Sequence, residues 1–479
     1  MTIANVVNNL TNIAFLAPER KGMNSDQLEK YLLSGKRCHL VGIGGVSMSP
    51  LAEILHNMGI EISGSDMSEG SSITNLRELG IPINIGHSAE NINGAGYVIR
   101  TAAAREDNDE IKAARQQGIP VFERAQAWGH IMRGYKHALC IAGVHGKTST
   151  TSMVSHILLA ADTDPTIMLG GTLPILESGC RVGKGSVIAL ESCEYYNSFH
   201  NFKPTVAVVL NVDADHLDFF ENLDSVKDSF RKFASLVPPD GAIVCNCDDP
   251  NTMDALANID RKTITFGFNE KAHVRGVNVS CEGRTPSMDV LLDNKPYCNI
   301  KLQIPGKHNL SNALAATATC ISIGIPPKAI EDGLLSYTGV GRRFEYKGSV
   351  NGADVYDDYA HHPSELNALL DSVDTLNSYK RVILAFQPHT FSRTKTLFDD
   401  FVEQLKRPDI VFLAEIYSAR ETCDGTVSSA MLAEKIPRAQ CISDFGTLTD
   451  EICGIAREGD LILTVGAGDI FKVGEALVK

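Results

Sequence analysis

Apolar residues along this chain follow two patterns, short continuous runs typical of buried parallel strands and a spacing of three or four typical of helices. The clearest combination lies before the middle of the chain. Residues 139–142 form an apolar run, glycines follow, and Met153, Val154, Ile157 and Leu158 recur at helical spacing. This stretch predicts a strand, a tight turn and a helix.

The same alternation continues over most of the chain and predicts an α/β fold. With 479 residues, the length favours about three domains. We place them at 1–137, 138–337 and 338–479, with residues 1–35 unassigned because they carry no chemical motif. Further apolar runs predict strands near 37–41, 97–101, 187–191, 206–210, 381–386, 410–413 and 461–465, a helix near 51–58, and short alternating strands within 281–304.

The turn after the central strand has the composition of a phosphate-binding loop. Backbone N–H groups and the helix dipole attract anions at such a junction, Lys147 adds a positive charge, and the Thr148 hydroxyl would face Mg²⁺. The usual pattern requires glycine at Ile141, so this loop departs from it there. An ordinary glycine turn is the alternative. We favour polyphosphate binding by Gly143, Val144, His145, Gly146, Lys147, Thr148 and Ser149.

A second glycine turn follows the first predicted strand and resembles a dinucleotide-binding fingerprint. Gly42 and Gly44 fit it, Ser47 replaces the third glycine, and Asp66 lies 22 positions after Gly44 at the end of the next predicted strand. The helix N-terminus here would bind a nucleotide diphosphate. The alternative is a tight turn without a ligand. The pattern predicts a Rossmann-like first domain.

Two further predicted strands lead into polar side chains. Glu191 ends one of them, and His216 follows the other together with Asp213 and Asp215. Open parallel sheets bind ligands at the carboxyl ends of their strands. We therefore expect Glu191 to hold Mg²⁺ with Thr148, and His216 to ligate a second metal ion. The alternative for His216 is an ordinary loop histidine, and the two aspartates are alternative ligands.

Polar residues also recur further along the chain. Asn309 and Asn312 are three apart on one predicted helical face, where they could hydrogen bond an adenine or a ribose, although Asn near a helix start is often only a cap. In the third domain, polar clusters at 356–363, 387–393 and 466–469 follow predicted strand ends. Polar clusters on several parallel strand ends indicate a site.

Composition narrows the class of protein. The formal net charge of −14 argues against nucleic acid or an anionic membrane as a partner, because a negative field repels phosphate groups. The twelve cysteines form no C-x-x-C pair and mostly lie in apolar runs, as expected in a reducing cytoplasm. No apolar run reaches the ~18 residues of a membrane span, and no export signal is visible. We expect a cytoplasmic enzyme that is a monomer or weak homodimer.

Taken in order, the motifs resemble those of the Mur ligases of bacterial cell-wall synthesis. The resemblance extends from about residue 36 to the C-terminus and rests on segments at 42–45, 143–148, 215–216, 308–312, 342–345, 357–363 and 466–469. The first of these segments and that at 357–363 point to the alanine-adding branch. The resemblance implies a Rossmann-like first domain that binds UDP rather than NAD, a central phosphate-loop ATPase-type domain, and a Rossmann-like C-terminal domain.

The resemblance also implies a reaction, the ATP-dependent ligation of L-alanine to the lactyl carboxylate of UDP-N-acetylmuramate through an acyl phosphate. Lys147 would stabilise the transferring phosphoryl group, Thr148 and Glu191 would hold one Mg²⁺, and His216 would hold a second. The other implied roles are ATP binding by the phosphate loop with Asn309 and Asn312, UDP-sugar binding by Gly42, Gly44, Gly45 and Asp66, docking of the third domain onto ATP by Arg343 and Asp358, and L-alanine binding by His362 and Arg393.

Two positions distinguish this chain from other members of the family that it resembles. Some alanine-adding ligases have Arg where this chain has Thr390, which leaves Arg393 as the basic group for the amino acid. Other Mur ligases use a carbamylated lysine downstream of the metal-binding histidine. Phe230 stands at the corresponding position here, so we predict no carbamylated lysine.

Three other protein classes share part of the pattern. An NAD-dependent oxidoreductase would use the turn at Gly42 but would leave Lys147 and Thr148 without a purpose. A nucleotide-binding switch or motor ATPase would use the phosphate loop but not the cluster of the third domain. Folylpolyglutamate synthase shares the central fold but needs no N-terminal nucleotide-binding domain.

Overall fold

A computed structural model describes residues 27–101, 103–176, 178–216, 219–281, 285–376, 378–419, 421–423 and 425–479. The protein is α/β and contains three sheets, as the sequence predicts. It divides into two compact units. The first covers the described residues up to Arg275 with 291–295 and 314–333, and the second covers 276–290, 296–313 and 334–479. No described helix is both long and apolar enough to cross a membrane.

The first sheet is parallel and has the strand order β3-β2-β1-β4-β5. This order is that of a Rossmann fold without its sixth strand, which confirms the predicted class of the first domain. Its strands are β1 Cys38–Val41, β2 Ile62–Asp66, β3 Ile83–Ile85, β4 Tyr97–Arg100 and β5 Val121–Glu123. Its helices are Gln27–Leu32, Ser49–Asn57, Ser71–Glu78, Asp109–Gln116 and Arg124–Ile131.

The central sheet contributes seven strands to the first unit, and the strand that carries the phosphate loop is the fourth of them. The order there is β12-β11-β10-β6-β9-β7-β8, and every neighbouring pair is parallel except β7 with β8. The strands are β6 His137–Ala142, β7 Thr166–Leu173, β8 Ser178–Arg181, β9 Val187–Glu191, β10 Val206–Val209, β11 Ala242–Asn246 and β12 Lys262–Gly267. The helices are Lys147–Ala160, Leu223–Ser235 and Pro250–Leu256.

The short alternating strands predicted within 281–304 are present in the described part of that segment. They are β14 Ser287–Leu292 and β15 Lys295–Lys301, which follow β13 Val274–Ser280, and the helices Lys307–Ser322 and Pro327–Leu335 come next. In β14 the alternate residues Met288 and Val290 are buried, whereas their neighbours are partly exposed. This period of two is that of a strand with one covered face.

The third sheet lies in the second unit, with the order β16-β17-β21-β18-β19-β20 and only β16 antiparallel to its neighbour. Its strands are β16 Glu345–Val350, β17 Ala353–Asp358, β18 Arg381–Phe386, β19 Ile410–Leu413, β20 Ala439–Cys441 and β21 Asp460–Val465. Alternate residues of β17, β18, β19 and β21 enter separate cores. The helices are Pro363–Leu376, Phe391–Thr396, Phe398–Leu405, Ser429–Ala433, Phe445–Ile455 and Phe471–Leu477.

The helix Arg124–Ile131 packs against both sheets of the first unit. Trp128 is 1% exposed, belongs to one core cluster with residues of both sheets, and donates its indole N–H to the carbonyl oxygen of Ser47 at 3.1 Å. One position later, a Cβ on Gly129 would lie 2.0 Å from the carbonyl oxygen of Asn201. The helix therefore needs a glycine here, because the segment Tyr195–Asn201 runs against its backbone.

This close approach predicts that Gly129→Ala destabilises the first unit by about 1–3 kcal/mol or more, since neither backbone segment can move without repacking the core. Gly454→Ala is the matched control, because Gly454 also lies in a helix but has nothing within 4 Å of its added Cβ. The control should be neutral or stabilising by up to ~1 kcal/mol. Thermal unfolding of both variants measures the contrast, and equal melting temperatures would contradict it.

Candidate active site

The phosphate loop joins the end of β6 at Ala142 to the helix that begins at Lys147. Gly143 has φ of 152° and Gly146 has φ of 82°, a region that side-chain-bearing residues rarely adopt. A Cβ on Gly143 would also lie 2.8 Å from the Cβ of Leu210. The two glycines therefore allow the tight turn that the sequence predicts.

The neighbouring strand fixes the shape of this loop. Asn211 accepts a hydrogen bond from the backbone N–H of His145 through its Oδ1 at 2.8 Å and donates its Nδ2–H to the carbonyl of His145 at 3.0 Å. The N–H of Val144 also bonds to the Asn211 carbonyl at 3.3 Å. Asn211 follows β10, which pairs directly with β6. Pairing of the two strands thus pre-organises the loop.

Lys147 is held by a buried carboxylate. Its Nζ donates to the Glu194 oxygens at 3.1 and 3.0 Å and to the carbonyls of Gly143 and Val144 at 2.6 and 3.1 Å. Burial by itself would lower the pKa of Lys147, but the negative charges around it, chiefly that of Glu194, hold this pKa above its ordinary value. The loop lysine is therefore charged and folded back over its own turn.

Glu194 is the residue of this site that sequence reasoning missed. Its side chain is only 1% exposed, and besides Lys147 it approaches His216, whose Nε2 lies 3.7 Å from Glu194 Oε1. The available signal was an acidic residue three positions after the strand-end Glu191, the last one before Asp213. A buried carboxylate with a cationic partner is a common feature of active sites.

Glu191 and Thr148 meet as predicted from the sequence. The Thr148 hydroxyl donates to Glu191 Oε2 at 3.0 Å, and the backbone N–H of Gly170 donates to the same oxygen at 2.7 Å. Glu191 ends β9, and Ile141 of β6 lies opposite it in the sheet. The hydroxyl and the carboxylate are oxygen donors of the kind that Mg²⁺ prefers, so the residues present fit that ion.

His216 lies at the same edge of the first unit. Its Nε2 is 3.7 Å from Glu194 and 3.9 Å from Asp215, and its ring stacks on Tyr195 with centroids 4.4 Å apart. Of the alternative ligands, Asp213 approaches His145 at 3.8 Å between Oδ2 and Nε2. The carboxylate of Glu194 therefore binds Lys147 and lies near His216.

The glycine turn of the first domain is braced by its own acidic residue. Gly42 has φ of 77°, and the N–H of Gly44 donates to Asp66 Oδ2 at 2.8 Å. A Cβ on Gly44 would meet the Ile73 side chain at 2.8 Å, and one on Gly45 would lie 3.3 Å from the Gly42 carbonyl oxygen. The structure therefore brings the four predicted UDP-sugar residues together, with Asp66 bonded to the turn.

In the second unit, Asp358 is buried below Arg343. Its two oxygens accept the backbone N–H groups of Phe344 at 2.7 Å and Ala360 at 2.8 Å. Burial raises the pKa of Asp358 to about 6, although the positive charge of Arg343 and the two N–H groups oppose the rise. The Arg343 guanidinium also lies over the Tyr359 ring, 5.1 Å from its centroid.

The two residues predicted to bind L-alanine, Arg393 and His362, have different surroundings. Arg393 lies 3.0 Å from His389, measured between Nη1 and Nδ1, and the rings of His389 and His361 are 5.6 Å apart. His362 is 6% exposed, and its Nδ1 contacts the hydroxyl and the N–H of Ser364 at the start of the helix Pro363–Leu376. His389 therefore contacts Arg393 directly, and His361 lies next to His389.

The two asparagines predicted to bind the nucleotide lie in the helix Lys307–Ser322. Asn309 is 6% exposed, and its Nδ2–H bonds to the Pro305 carbonyl at 2.7 Å. This bond satisfies a backbone carbonyl just before the helix and is not an N-cap, in which the side-chain oxygen accepts a backbone N–H. Asn312, three residues later, is half-buried.

Comparison with known proteins decides the family. The Mur ligase family catalytic domain matches residues 37–136, the Mur ligase middle domain matches 141–320, and the Mur ligase glutamate ligase domain matches 342–468. Proteins named UDP-N-acetylmuramate--L-alanine ligase from Clostridium novyi and Acetivibrio thermocellus are 42% and 45% identical to this chain, over 93% of it and over 98% and 96% of their own lengths. The chain belongs to the Mur ligase family. This confirms the resemblance.

Solved structures agree with this assignment. The crystal structure of UDP-N-acetylmuramate-alanine ligase from Thermotoga maritima has a TM-score of 0.78 to this Mur ligase, with 29% identity over 92% of this chain and 98% of that one. A murein peptide ligase from Psychrobacter arcticus shares the fold, with a TM-score of 0.70, 22% identity and the same coverage. The family uses ATP, in agreement with the phosphate loop.

Phe230 illustrates how this Mur ligase departs from relatives with a carbamylated lysine. Its side chain is fully buried in the helix Leu223–Ser235 and packs edge-on against Phe199, with ring centroids 5.4 Å apart. The position is part of the core.

The raised pKa of Asp358 predicts a pH-dependent cost to stability. A carboxyl whose pKa is higher in the folded state stabilises fully below its unfolded pKa and loses that contribution as the pH rises through the folded value. Because the unfolded pKa is about 4 and the folded one about 6, the melting temperature of Asp358→Asn relative to the native protein should rise from about pH 4 to about pH 6 and then level off. Thermal unfolding across this range measures the difference, and a flat difference would contradict the prediction.

Proposed function

We propose that this Mur ligase joins L-alanine to the lactyl carboxylate of UDP-N-acetylmuramate and converts ATP to ADP and phosphate. The relatives named UDP-N-acetylmuramate--L-alanine ligase support the substrates, because they are 42% and 45% identical over nearly the whole chain. The observation that supports the chemistry is the charged Lys147 between the phosphate loop and the buried Glu194. The product is a precursor of peptidoglycan.

In the first step, a carboxylate oxygen of the lactyl group attacks the γ-phosphorus of ATP, and ADP leaves. Lys147 stabilises the negative charge that spreads over the transferring phosphoryl group. The N–H groups of the loop, from Gly143 to Ser149, hold the phosphates at the helix N-terminus. Glu194 keeps Lys147 protonated, so that a full positive charge is present before ATP binds.

The residues around the loop suit two Mg²⁺ sites. Thr148 and Glu191 would hold one ion, and His216, with the neighbouring Glu194, would hold the other. Bound Mg²⁺ would neutralise phosphate charge and orient the carboxylate toward the γ-phosphate.

In the second step, the amine of L-alanine attacks the acyl carbonyl, loses a proton, and expels phosphate. Arg393, with His389 beside it, is our candidate for the carboxylate of L-alanine, because guanidinium groups bind carboxylates in bidentate fashion. His362 remains a candidate through its position at a helix start. Arg343 and Asp358 are candidates for contacts with ATP, as are Asn309 and Asn312.

We assign the UDP-sugar to the turn formed by Gly42, Gly44 and Gly45, where N–H groups and a helix N-terminus suit a diphosphate. Asp66 braces this turn through the N–H of Gly44, and we propose it as a further contact of the nucleotide. We further propose that the enzyme acts in the cytoplasm as a monomer or weak homodimer. None of the twelve cysteines, all of which lie in the described residues, forms a disulfide, which suits a reducing compartment.

Phosphate release tests the function. It should require ATP, UDP-N-acetylmuramate and an amino acid together, with L-alanine preferred over glycine and L-serine in a panel. ADP release without either acceptor would instead support a plain ATPase.

Lys147→Ala should lower kcat by at least ~10²–10³-fold while leaving the fold intact, because a charge at the transferring phosphoryl group is lost. Lys328→Ala is the control, since Lys328 forms only an exposed ion pair with Asp332 and should leave kcat unchanged. Single-turnover assays and circular dichroism measure both. Near-native turnover in Lys147→Ala would contradict the assignment.

Arg393→Ala should raise KM for L-alanine by about 10-fold or more and spare ATP binding, because a contact made equally in the ground and transition states weakens binding uniformly. Arg407→Ala is the control, as Arg407 pairs with Asp371 and Asp374 on the surface. Steady-state kinetics at varied L-alanine measure the effect. An unchanged KM would mean that the carboxylate binds elsewhere.

A further inference from the structure

Three non-glycine residues near the phosphate loop adopt left-handed backbone conformations. Tyr196 and Asn197 both have φ of 54°, and His216 has φ of 53°. This region is disfavoured by contacts of Cβ with the backbone, and although Asn and His enter it more often than most residues, a bulky Tyr is an outlier there. Such outliers persist where surrounding contacts enforce them, and they cluster at functional sites. The contacts that enforce these conformations therefore fix two segments, one after Glu194 and one at His216.

Contacts on both sides secure the segment that follows Glu194. The N–H of Asn197 donates to the carbonyl of Glu194 at 2.8 Å, and its Oδ1 accepts the Ser229 hydroxyl at 2.5 Å. Two residues later, Phe199 is fully buried and stacks on Phe233, with ring centroids 4.5 Å apart. The backbone thus turns sharply between the Lys147 partner and the core, and Tyr195 lies at the start of this turn.

The segment of His216 is secured separately. Its carbonyl accepts the N–H groups of Phe219 at 2.8 Å and Phe220 at 2.9 Å. The Phe219 ring stands edge-on to Tyr195, with centroids 6.1 Å apart and planes at 84°. Both segments therefore meet through aromatic rings as well as through the carboxylate of Glu194.

Tyr195 covers one face of the His216 imidazole. The two rings lie 4.4 Å apart at 24°, close to parallel. The carboxylates near His216 Nε2, those of Glu194 and Asp215, are 3.7 and 3.9 Å away, which is too far for a hydrogen bond. Stacking therefore restricts the plane of the imidazole, while its Nε2 edge stays directed toward the carboxylate that holds Lys147.

We propose that Tyr195 is a positioning residue that fixes the His216 ring for binding a divalent cation. The proposal rests on the proposed function, in which His216 is a metal ligand. A ligand held by a neighbouring group binds its ion more tightly than a mobile one, because less freedom is lost on binding. Since the flat ring supplies the contact, Phe should replace Tyr195 but Leu should not.

A role confined to packing predicts something different. In that case Tyr195→Leu would lower the melting temperature but leave cation affinity unchanged in the protein that remains folded. Affinity and ring mobility therefore separate the two roles, and both are measured well below the melting temperature of each variant.

The first measurement needs no cation and no substrate. Diethyl pyrocarbonate modifies accessible, mobile imidazoles, and peptide mass spectrometry follows its rate at His216. His216 should be modified several-fold faster in Tyr195→Leu than in the native protein, and at the native rate in Tyr195→Phe. Tyr417→Leu is the control, because Tyr417 also stacks on an imidazole, that of His389, with ring centroids 5.7 Å apart, and should leave the rate at His216 unchanged. An equal rate in Tyr195→Leu and the native protein would overturn the stacking role.

The second measurement is the affinity for Mn²⁺ alone, read from the electron paramagnetic resonance signal of the free ion. Tyr195→Leu should raise Kd about 10-fold, the lower range for losing a group that orients a ligand, and Tyr195→Phe should restore it. Native affinity in Tyr195→Leu, beside weakened binding in His216→Ala, would overturn the positioning role alone. Native affinity in His216→Ala would overturn the metal role of His216 as well.

Discussion

The buried carboxylate of Glu194 is the constraint on which the arrangement of the active site depends. An ionised group out of water is costly unless opposite charge and hydrogen bonds compensate it. Here Lys147 supplies both, and in doing so it is drawn back against the carbonyls of its own loop. The position of the loop lysine therefore depends on a residue 47 positions later in the chain. Strand pairing makes this possible, because β6 and β9 are neighbours and end together.

In the third sheet too, strand pairing brings together residues that are distant in sequence. Asp358 and Phe386 end their strands opposite the same residue, Val465 of β21. The polar clusters that follow these strands therefore emerge at one edge, although they are distant in sequence. In the first unit, the pairing of β6 with β9 and β10 has the same effect, because it places the residues after these strands at one edge of the sheet. In both units the chemistry is concentrated where parallel strands stop.

Most of the fold could be predicted from the sequence because buried parallel strands are apolar runs that glycines and charges interrupt. The strands at 381–386 and 410–413 match their predicted bounds, and the loop glycines are visible from their spacing. The acidic residue at 194 is visible in the sequence, but the burial of Glu194 against Lys147 could not be predicted, because that contact joins residues 47 positions apart. Likewise, the sequence places His361 and His362 side by side, but only the start of the following helix determines which imidazole contacts its backbone.

Trp128 gives the first unit an optical property of its own. It is the single tryptophan of the chain, and its indole N–H bonds to the carbonyl of Ser47 in the turn assigned to the UDP-sugar. The fluorescence of a buried indole responds to the polarity and hydrogen bonding around its nitrogen. Ligand arrival at that turn can therefore be followed in the unlabelled protein, without contributions from other tryptophans, and separately from events at the phosphate loop.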